Sequence, residues 1–310
     1  MRGHSAEPFE AIFTEPGDVN IHLRPGVIAY RAGTVWHGPM ATVKAYPIWN
    51  VSSGERDRAR AAMQSKGTSK AQQRINHRNA QDKIVQLANT NFGPGDIMVT
   101  NTYLPGCGPA DDAEARRDFR NYRDRLKRIW KRLGKEELKY IATIEKSESS
   151  RDKNETRYHI HVLLNAAGVD RDLIEAAWGH GTSNTERYQH QENYFAGFAG
   201  YMAVWKPNQK KATKRQWLAS KNLKRPRKTV SDKKLTMRRM ERLAAAMQMD
   251  GRAILEKAYP GYRVVGDIIV RRSAFVGGAY IYANLRRIDD RPPKRSRPGT
   301  DRTKGAGKRE

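Results

Sequence analysis

Tyr158-His159-Ile160-His161-Val162-Leu163-Leu164-Asn165 is the stretch whose reading decides the architecture. It predicts a strand over Arg157 to Asn165, along which successive side chains point to opposite faces. His159 and His161 therefore share one face, about 7 Å apart at ~3.3 Å rise per residue. Ile160, Val162 and Leu164 share the other face and can pack on helices.

A polar loop, Lys146 to Thr156, joins this strand to an earlier one over Leu138 to Glu145. Upstream, Phe119, Tyr122, Leu126, Ile129, Trp130 and Leu133 recur at helical spacing and build one apolar face. Asp111 or Asp112 can cap that helix, and Gly134 suits its end. Ile97 to Tyr103 predicts a further strand, bounded by Gly93-Pro94-Gly95 and Pro105-Gly106. Downstream, Asp170 to Trp178 reads as a short helix and Thr182 to Gln189 as a strand. Glu192 to Trp205 reads as a helix with Tyr194, Phe198, Tyr201 and Trp205 on one stripe. This order of elements suggests an α+β fold. Its centre is an antiparallel split-βαβ sheet, ferredoxin- or RRM-like, with helices on one face.

That core is expected over 93–206, with extensions on both sides. Residues 1–92 should hold short strands around Val27 to Tyr30 and Ala41 to Val43. A polar helix over 55–91 follows, with Ile75, Ile84 and Leu87 as a thin apolar stripe. Residues 207–290 combine a basic segment, a helix around Lys234 to Met249, and closing strands over Tyr262 to Val270 and Ala279 to Leu285. Residues 291–310 hold eight basic and two acidic residues among Pro and Gly, and read as a disordered tail.

The 310 residues carry 59 Lys and Arg against 33 Asp and Glu, a net charge of +26. Such a surplus repels itself unless a polyanion neutralises it, so nucleic acid is the expected partner. Between Lys206 and Arg239, 14 basic residues face a single acid, Asp232. Within that run Lys210, Lys211, Lys214, Arg215, Lys221, Lys224 and Arg225 are the expected contacts to a DNA backbone. Trp205 and Trp217 are candidate stacking surfaces. No run approaches the ~20 apolar residues of a membrane span, so no membrane partner is expected. Met1-Arg2-Gly3-His4-Ser5 lacks the apolar core of a signal peptide, which points to the cytoplasm. Cys107 is the one cysteine, which excludes intrachain disulfides and a zinc site of several thiolates.

Two imidazoles on one strand face can ligate one divalent cation, and Glu145 on the neighbouring strand can supply a third ligand. Nitrogen and oxygen donors without thiolate suit Mg²⁺ or Mn²⁺ acting on phosphate. A lone His-x-His pair is more often two half-buried polar residues, and Tyr194, Phe198 and Tyr201 on one helix face more often pack on a sheet. Their combination in a basic chain shifts that balance. A phenol of pKa ~10 becomes a usable nucleophile where a cation and a lysine such as Lys206 stabilise phenolate and the charge growing on phosphate.

His159-Ile160-His161, the strand ending in Glu145 and the following helix with Tyr201 resemble the HUH endonucleases, named for two histidines around a hydrophobic residue. Within them the chain resembles the rolling-circle replication initiators of plasmids and of filamentous and other single-stranded DNA phages. Asn91-Phe92 and Gly95 to Tyr103 resemble the family's Thr-rich first strand. Trp178-Gly179-His180-Gly181 resembles its Trp-x-x-Gly turn, and Ser220 to Pro226 its Ser-x-Asn-Leu-Lys-Lys-Pro segment. The resemblance spans about residues 70 to 286. It implies His159, His161 and Glu145 as ligands of Mg²⁺ or Mn²⁺, and Tyr201 as nucleophile. The family often has Lys three residues after that Tyr. Here Val204 stands there, with Lys206 as a substitute and Tyr194 as the reserve nucleophile. The implied reaction nicks single-stranded or hairpin origin DNA, leaving a 5′-phosphotyrosyl link and a free 3′-OH for a host polymerase and helicase to use. No Gly-x-x-x-x-Gly-Lys-Ser/Thr motif appears, so no fused helicase is expected. Two other classes stay open: a non-enzymatic basic nucleic-acid-binding protein with an RRM-like sheet, and a small-molecule metalloenzyme, against which the charge argues.

Overall fold

The computed structural model describes residues 27–49, 70–148, 156–189, 195, 217–246, 248–272 and 278–288. In chain order these form β1 (Val27–His37), β2 (Met40–Trp49), α1 (Lys70–Asn91), β3 (Ile97–Tyr103), α2 (Asp112–Arg132), β4 (Tyr140–Glu148) and β5 (Thr156–Leu164). Then follow α3 (Arg171–Ala176), β6 (Gly181–Arg187), β7 (Trp217–Ala219), β8 (Arg227–Ser231), α4 (Met237–Ala245), α5 (Gln248–Ala258), β9 (Tyr262–Arg272) and β10 (Ala279–Arg287). They build two antiparallel five-stranded sheets, with strand orders β6-β3-β5-β4-β7 and β8-β1-β2-β10-β9. Among the described residues, no helix is long and apolar enough to cross a membrane.

The first sheet is the expected split-βαβ arrangement: β3-α2-β4 and β5-α3-β6 interleave, and β7 extends the edge beside β4. Ile160, Val162 and Leu164 are fully buried under α2, whose Phe119, Tyr122, Leu126 and Trp130 are buried in the same cluster. Burial of side chains this size is worth roughly 1.5–3 kcal/mol each. Asp111 is the cap: its carboxylate accepts the Glu114 N–H at 2.8 Å, while the Glu114 side chain accepts the Ala110 N–H at 2.8 Å.

The strands on either side of this core come together. β1 and β2 form a long hairpin in the centre of the second sheet, flanked by β8 on one side and β10 on the other. The expected single helix over Lys234 to Met249 is instead α4 and α5, separated at Ala246, whose backbone is extended (φ −74°, ψ 148°). The break lets both stretches face the sheet: Met240 and Leu243 from α4 and Leu255, Ala258 and Tyr259 from α5 and the residue after it share one core with Ala41, Val43 and Leu285. The Gly and Pro that looked like strand breaks are the hairpin turn. Gly38 has φ +60°, and a Cβ there would collide with the Asn89 carbonyl of α1.

α1 lies between the sheets, which explains its thin apolar stripe. Ile84, Leu87 and Ala88 pack on the first sheet with Ile141 and Leu163. Polar groups meet the second sheet: Asp82 pairs with Lys44 at 2.8 Å, and Asn89 with His37. His37 is 2% exposed. Its Nδ1 accepts from Asn89 Nδ2 at 3.0 Å, and its Nε2–H donates to Thr42 Oγ1 at 3.0 Å, which in turn donates to Asn284 Oδ1 at 3.0 Å. That chain has room for neutral imidazole only, since a second ring proton would meet the Asn89 amide hydrogens.

Burial accordingly pushes the His37 pKa from 6.5 down to about 4. Between those values the unfolded chain binds a proton that the folded chain refuses, so stability should fall as pH drops from 6.5 toward 4. The loss should reach up to about 3 kcal/mol at 1.36 kcal/mol per unit. Urea midpoints measured across that window should show the slope, and His37→Gln should flatten it. A wild-type profile without slope would show that His37 is not held neutral.

Candidate active site

The histidine face of the first sheet is assembled by register. In one row Thr182 of β6, Thr102 of β3, His159 of β5 and Glu145 of β4 lie side by side. In the next lie Asn184, Thr100, His161, Thr143 and, at the edge, Trp217 of β7. The strand alternation read from the sequence holds: both imidazoles lie opposite the α2 layer, their ring centres 6.4 Å apart and 21° from parallel.

Threonines of β3 fix the rings. Thr102 Oγ1 lies 3.1 Å from His159 Nδ1, and Thr100 Oγ1 lies 3.2 Å from His161 Nδ1. Holding Nδ1 sets ring orientation and makes Nε2 the nitrogen that a cation would use. Although Glu145 is directly opposite His159, its carboxylate reaches diagonally to His161 Nε2 at 3.3 Å. The His161 side chain is 9% exposed and that of Glu145 21%. The three are thus brought to one face, and Glu145 touches one of the imidazoles. As placed, they do not close into a metal-holding cluster, and no other such group occurs among the described residues. Their donor chemistry fits a divalent cation acting on phosphate, with two imidazoles, one carboxylate and no thiolate.

The tyrosines of β3, α2 and β5 are poor nucleophiles. Tyr158 sits on the opposite face from the histidines and donates to Asp112 at 3.1 Å. Burial, reinforced by Asp112, pushes its pKa up to about 12. Burial also raises the phenols of Tyr103 and Tyr122 well above their ordinary value.

Tyr194, Tyr201, Lys206, Lys210, Lys211, Lys214 and Arg215 lie outside the described residues, as do Trp205 and the tail over 291–310. The segment that carries them is flanked by described anchors on the histidine face. Phe195 is fully buried there with Ile141, Leu163 and Phe92, stacks on Tyr188 at 3.8 Å, and donates its backbone N–H to Asn89 Oδ1 at 3.1 Å. On the other side of the segment, Lys83 lies over the half-buried Trp217 ring at 5.7 Å, so Trp217 is partly a packing residue. Farther along, Asn91 clamps the Lys224 backbone through its N–H at 2.7 Å and its carbonyl at 2.9 Å. The side chains of Lys221, Lys224 and Arg225 are exposed. In the same segment Ser220 and Asn222 are structural: the Ser220 hydroxyl accepts from the Tyr140 N–H at 3.1 Å, and Asn222 donates to the Leu138 carbonyl at 3.3 Å.

Thr100, Thr102, Asn89 and Phe195 are site-building residues that the sequence reading left without roles. For the threonines a signal existed: alternation on β3 aligns both hydroxyls with the histidine face once the strands are paired.

Residues 96–204 of the 310 match a family model described as the replication-associated protein ORF2 family. No curated protein and no solved structure matches the chain. The matched segment begins just before β3 and contains Glu145, both histidines and the Trp178 turn. Its similarity to replication-associated proteins points to a role in the initiation of replication.

Proposed function

We propose that the chain is a rolling-circle replication initiator of the HUH type, which nicks and rejoins single-stranded or hairpin origin DNA. The observation that carries this reading is the histidine face itself. Two imidazoles held at Nδ1 by threonines, with a carboxylate against one of them, stand in a segment similar to replication-associated proteins. His159, His161 and Glu145 would hold Mg²⁺ or Mn²⁺, which supplies Lewis-acid stabilisation of the charge that gathers on the scissile phosphate. The Tyr201 phenol attacks phosphorus as its proton leaves. The P–O3′ bond breaks, the departing oxygen takes up a proton as a free 3′-OH, and the 5′ side stays bonded to the tyrosine. Attack by a later 3′-OH reverses the exchange and reseals the strand.

Phe195 supports Tyr201 as the attacking group. It is seated on the histidine face, and six further residues of helix would span ~9 Å across that face. Lys206 would neutralise charge beside it, and the basic residues from Lys210 to Arg225 would follow the DNA backbone. A host polymerase and helicase would then extend the 3′-OH in the cytoplasm.

That the three ligand side chains do not close around one point favours a second reading, a non-enzymatic basic nucleic-acid-binding protein. A labelled single-stranded origin oligonucleotide with Mn²⁺ separates the two: cleavage with a covalent band supports nicking, and shifted but uncleaved DNA supports binding alone. A finer expectation concerns the threonines. Thr100→Val and Thr102→Val keep the side-chain shape but drop the hydroxyl that meets Nδ1, and each should weaken Mn²⁺ binding by roughly 10- to 100-fold. Calorimetric titration would read this, and unchanged affinity would assign the hydroxyls no part in orienting the rings.

A further inference from the structure

We propose that the outer face of α2 is a docking surface for duplex DNA, on the opposite side of the sheet from the histidines. From Arg116 to Lys135 the chain carries ten basic residues and two acidic ones. One of the two acids, Asp118, is buried and accepts from the Tyr103 hydroxyl at 3.1 Å; the other, Asp124, is paired with Arg123 at 2.8 Å. At 3.6 residues per turn, Arg117, Arg120, Asp124, Lys127, Arg128 and Lys131 fall within roughly a third of the helix circumference. All six are exposed, and the buried Phe119, Tyr122, Leu126 and Trp130 occupy the opposite side. Arg117 is partly answered by Glu114 at 2.7 Å, and Arg128 Nε reaches the Asp124 carbonyl at 3.4 Å. The remaining cations stand as like-charge neighbours along the helix, an arrangement that disfavours the helix unless a polyanion lies against it.

The form of the surface selects the polyanion. From Arg117 to Lys131 the stripe is ~21 Å long, the rise of about six base pairs at 3.4 Å each. Single-strand sites interleave cations with exposed rings on which bases stack. Every aromatic residue of α2 is buried, so this face offers phosphate contacts without stacking, which suits an intact duplex. A nicking protein would then hold the double-stranded flank on its helix layer while the unpaired strand meets the histidine face. The inference rests on the replication reading only in taking DNA as the polyanion.

The test uses the full chain with Arg120, Lys127, Arg128 and Lys131 all changed to Gln. A 30-base-pair duplex without a cleavage site is titrated by fluorescence anisotropy across a salt series. The log–log salt slope should become shallower by about 3–4, at ~0.9 for each phosphate no longer neutralised. Affinity near 0.1 M salt should fall at least tenfold, while adduct formation on a short single-stranded oligonucleotide stays unchanged. A charge-matched control changes the exposed Arg238, Arg242, Lys257 and Arg263 to Gln and should shift the slope far less. If the fourfold variant does not fold, Lys127→Gln with Lys131→Gln reads the same effect at about half the size. An unchanged slope, an equal loss in the control, or an equal loss on a single-stranded 30-mer would each overturn the assignment. Absence of any adduct with the wild-type chain would sink the nicking reading instead and leave the duplex measurement valid.

Discussion

Tyr201→Phe is expected to abolish the covalent protein–DNA adduct completely, because phenylalanine has no oxygen to bond to phosphorus. Binding to the same oligonucleotide should persist, since the phosphate contacts of the basic segment are untouched. His161→Ala should act on the rate. It removes the ring held by Thr100 at 3.2 Å and contacted by Glu145 at 3.3 Å. A bound cation contributes several kcal/mol of charge stabilisation, so at 1.36 kcal/mol per tenfold the loss should be on the order of 10³. Tyr194→Phe discriminates between the two phenols. Tyr194 immediately precedes Phe195, whose ring and backbone are fixed by Tyr188 and Asn89, so a helix from that anchor carries Tyr201 farther across the face. Adduct mapping by mass spectrometry reads the attacked residue directly. An adduct on Tyr194 in the wild type would reassign the nucleophile; an undiminished adduct in the Tyr194→Phe, Tyr201→Phe double variant would remove both tyrosines from the chemistry.

What was legible in the sequence is what neighbouring residues dictate. The two-residue alternation of β5 assigned His159 and His161 to one face and Ile160, Val162 and Leu164 to the other. The 3.6-residue period of Phe119, Tyr122, Leu126 and Trp130 defined the buried side of α2. Strand order followed from these, because a split-βαβ sheet is the compact way to cover one apolar face with two helices. The second sheet was illegible because its pairings are remote: Trp36 Nε1 donates to Thr229 at 2.9 Å, and the Tyr30 hydroxyl accepts from the Ala279 N–H at 3.1 Å, across some 200 residues or more. α1 misleads by composition, since a helix held by Asp82 and Asn89 on one side and by Ile84 and Leu87 on the other shows no strong apolar stripe. Glu145 shows the finer limit. Pairing places it opposite His159, but a carboxylate with rotatable bonds reaches the diagonal neighbour, and alternation carries no information about that choice.

Trp178→Ala is the substitution that should join the core to the site. The indole is fully buried, with edge-on packing against Tyr103 at 5.0 Å and Tyr122 at 5.6 Å. Truncating a buried tryptophan costs roughly 3–5 kcal/mol, and edge-on aromatic pairing of this geometry supplies part of that. Its Nε1–H also donates to the Thr102 carbonyl at 3.2 Å, and the Thr102 hydroxyl holds His159 at 3.1 Å. The same turn is pinned by Gly181: with φ +152°, any Cβ there would strike the Thr102 carbonyl and come within 2.7 Å of the Leu104 nitrogen. β3 therefore has little freedom to slide while Trp178 is present, and gains it when the indole is removed. The expected result is a urea midpoint lowered by the equivalent of roughly 3–5 kcal/mol, together with weaker Mn²⁺ binding in the fraction that remains folded. Trp178→Phe keeps much of the ring packing but leaves the Thr102 carbonyl without its donor. It should cost less stability than Trp178→Ala, yet still loosen Mn²⁺ binding. If Trp178→Ala lowers stability by under about 1 kcal/mol, well short of the usual cost of such a truncation, the indole is not the wedge described; if Trp178→Phe binds Mn²⁺ as tightly as the wild type, the backbone of β3 does not transmit the turn's position to His159.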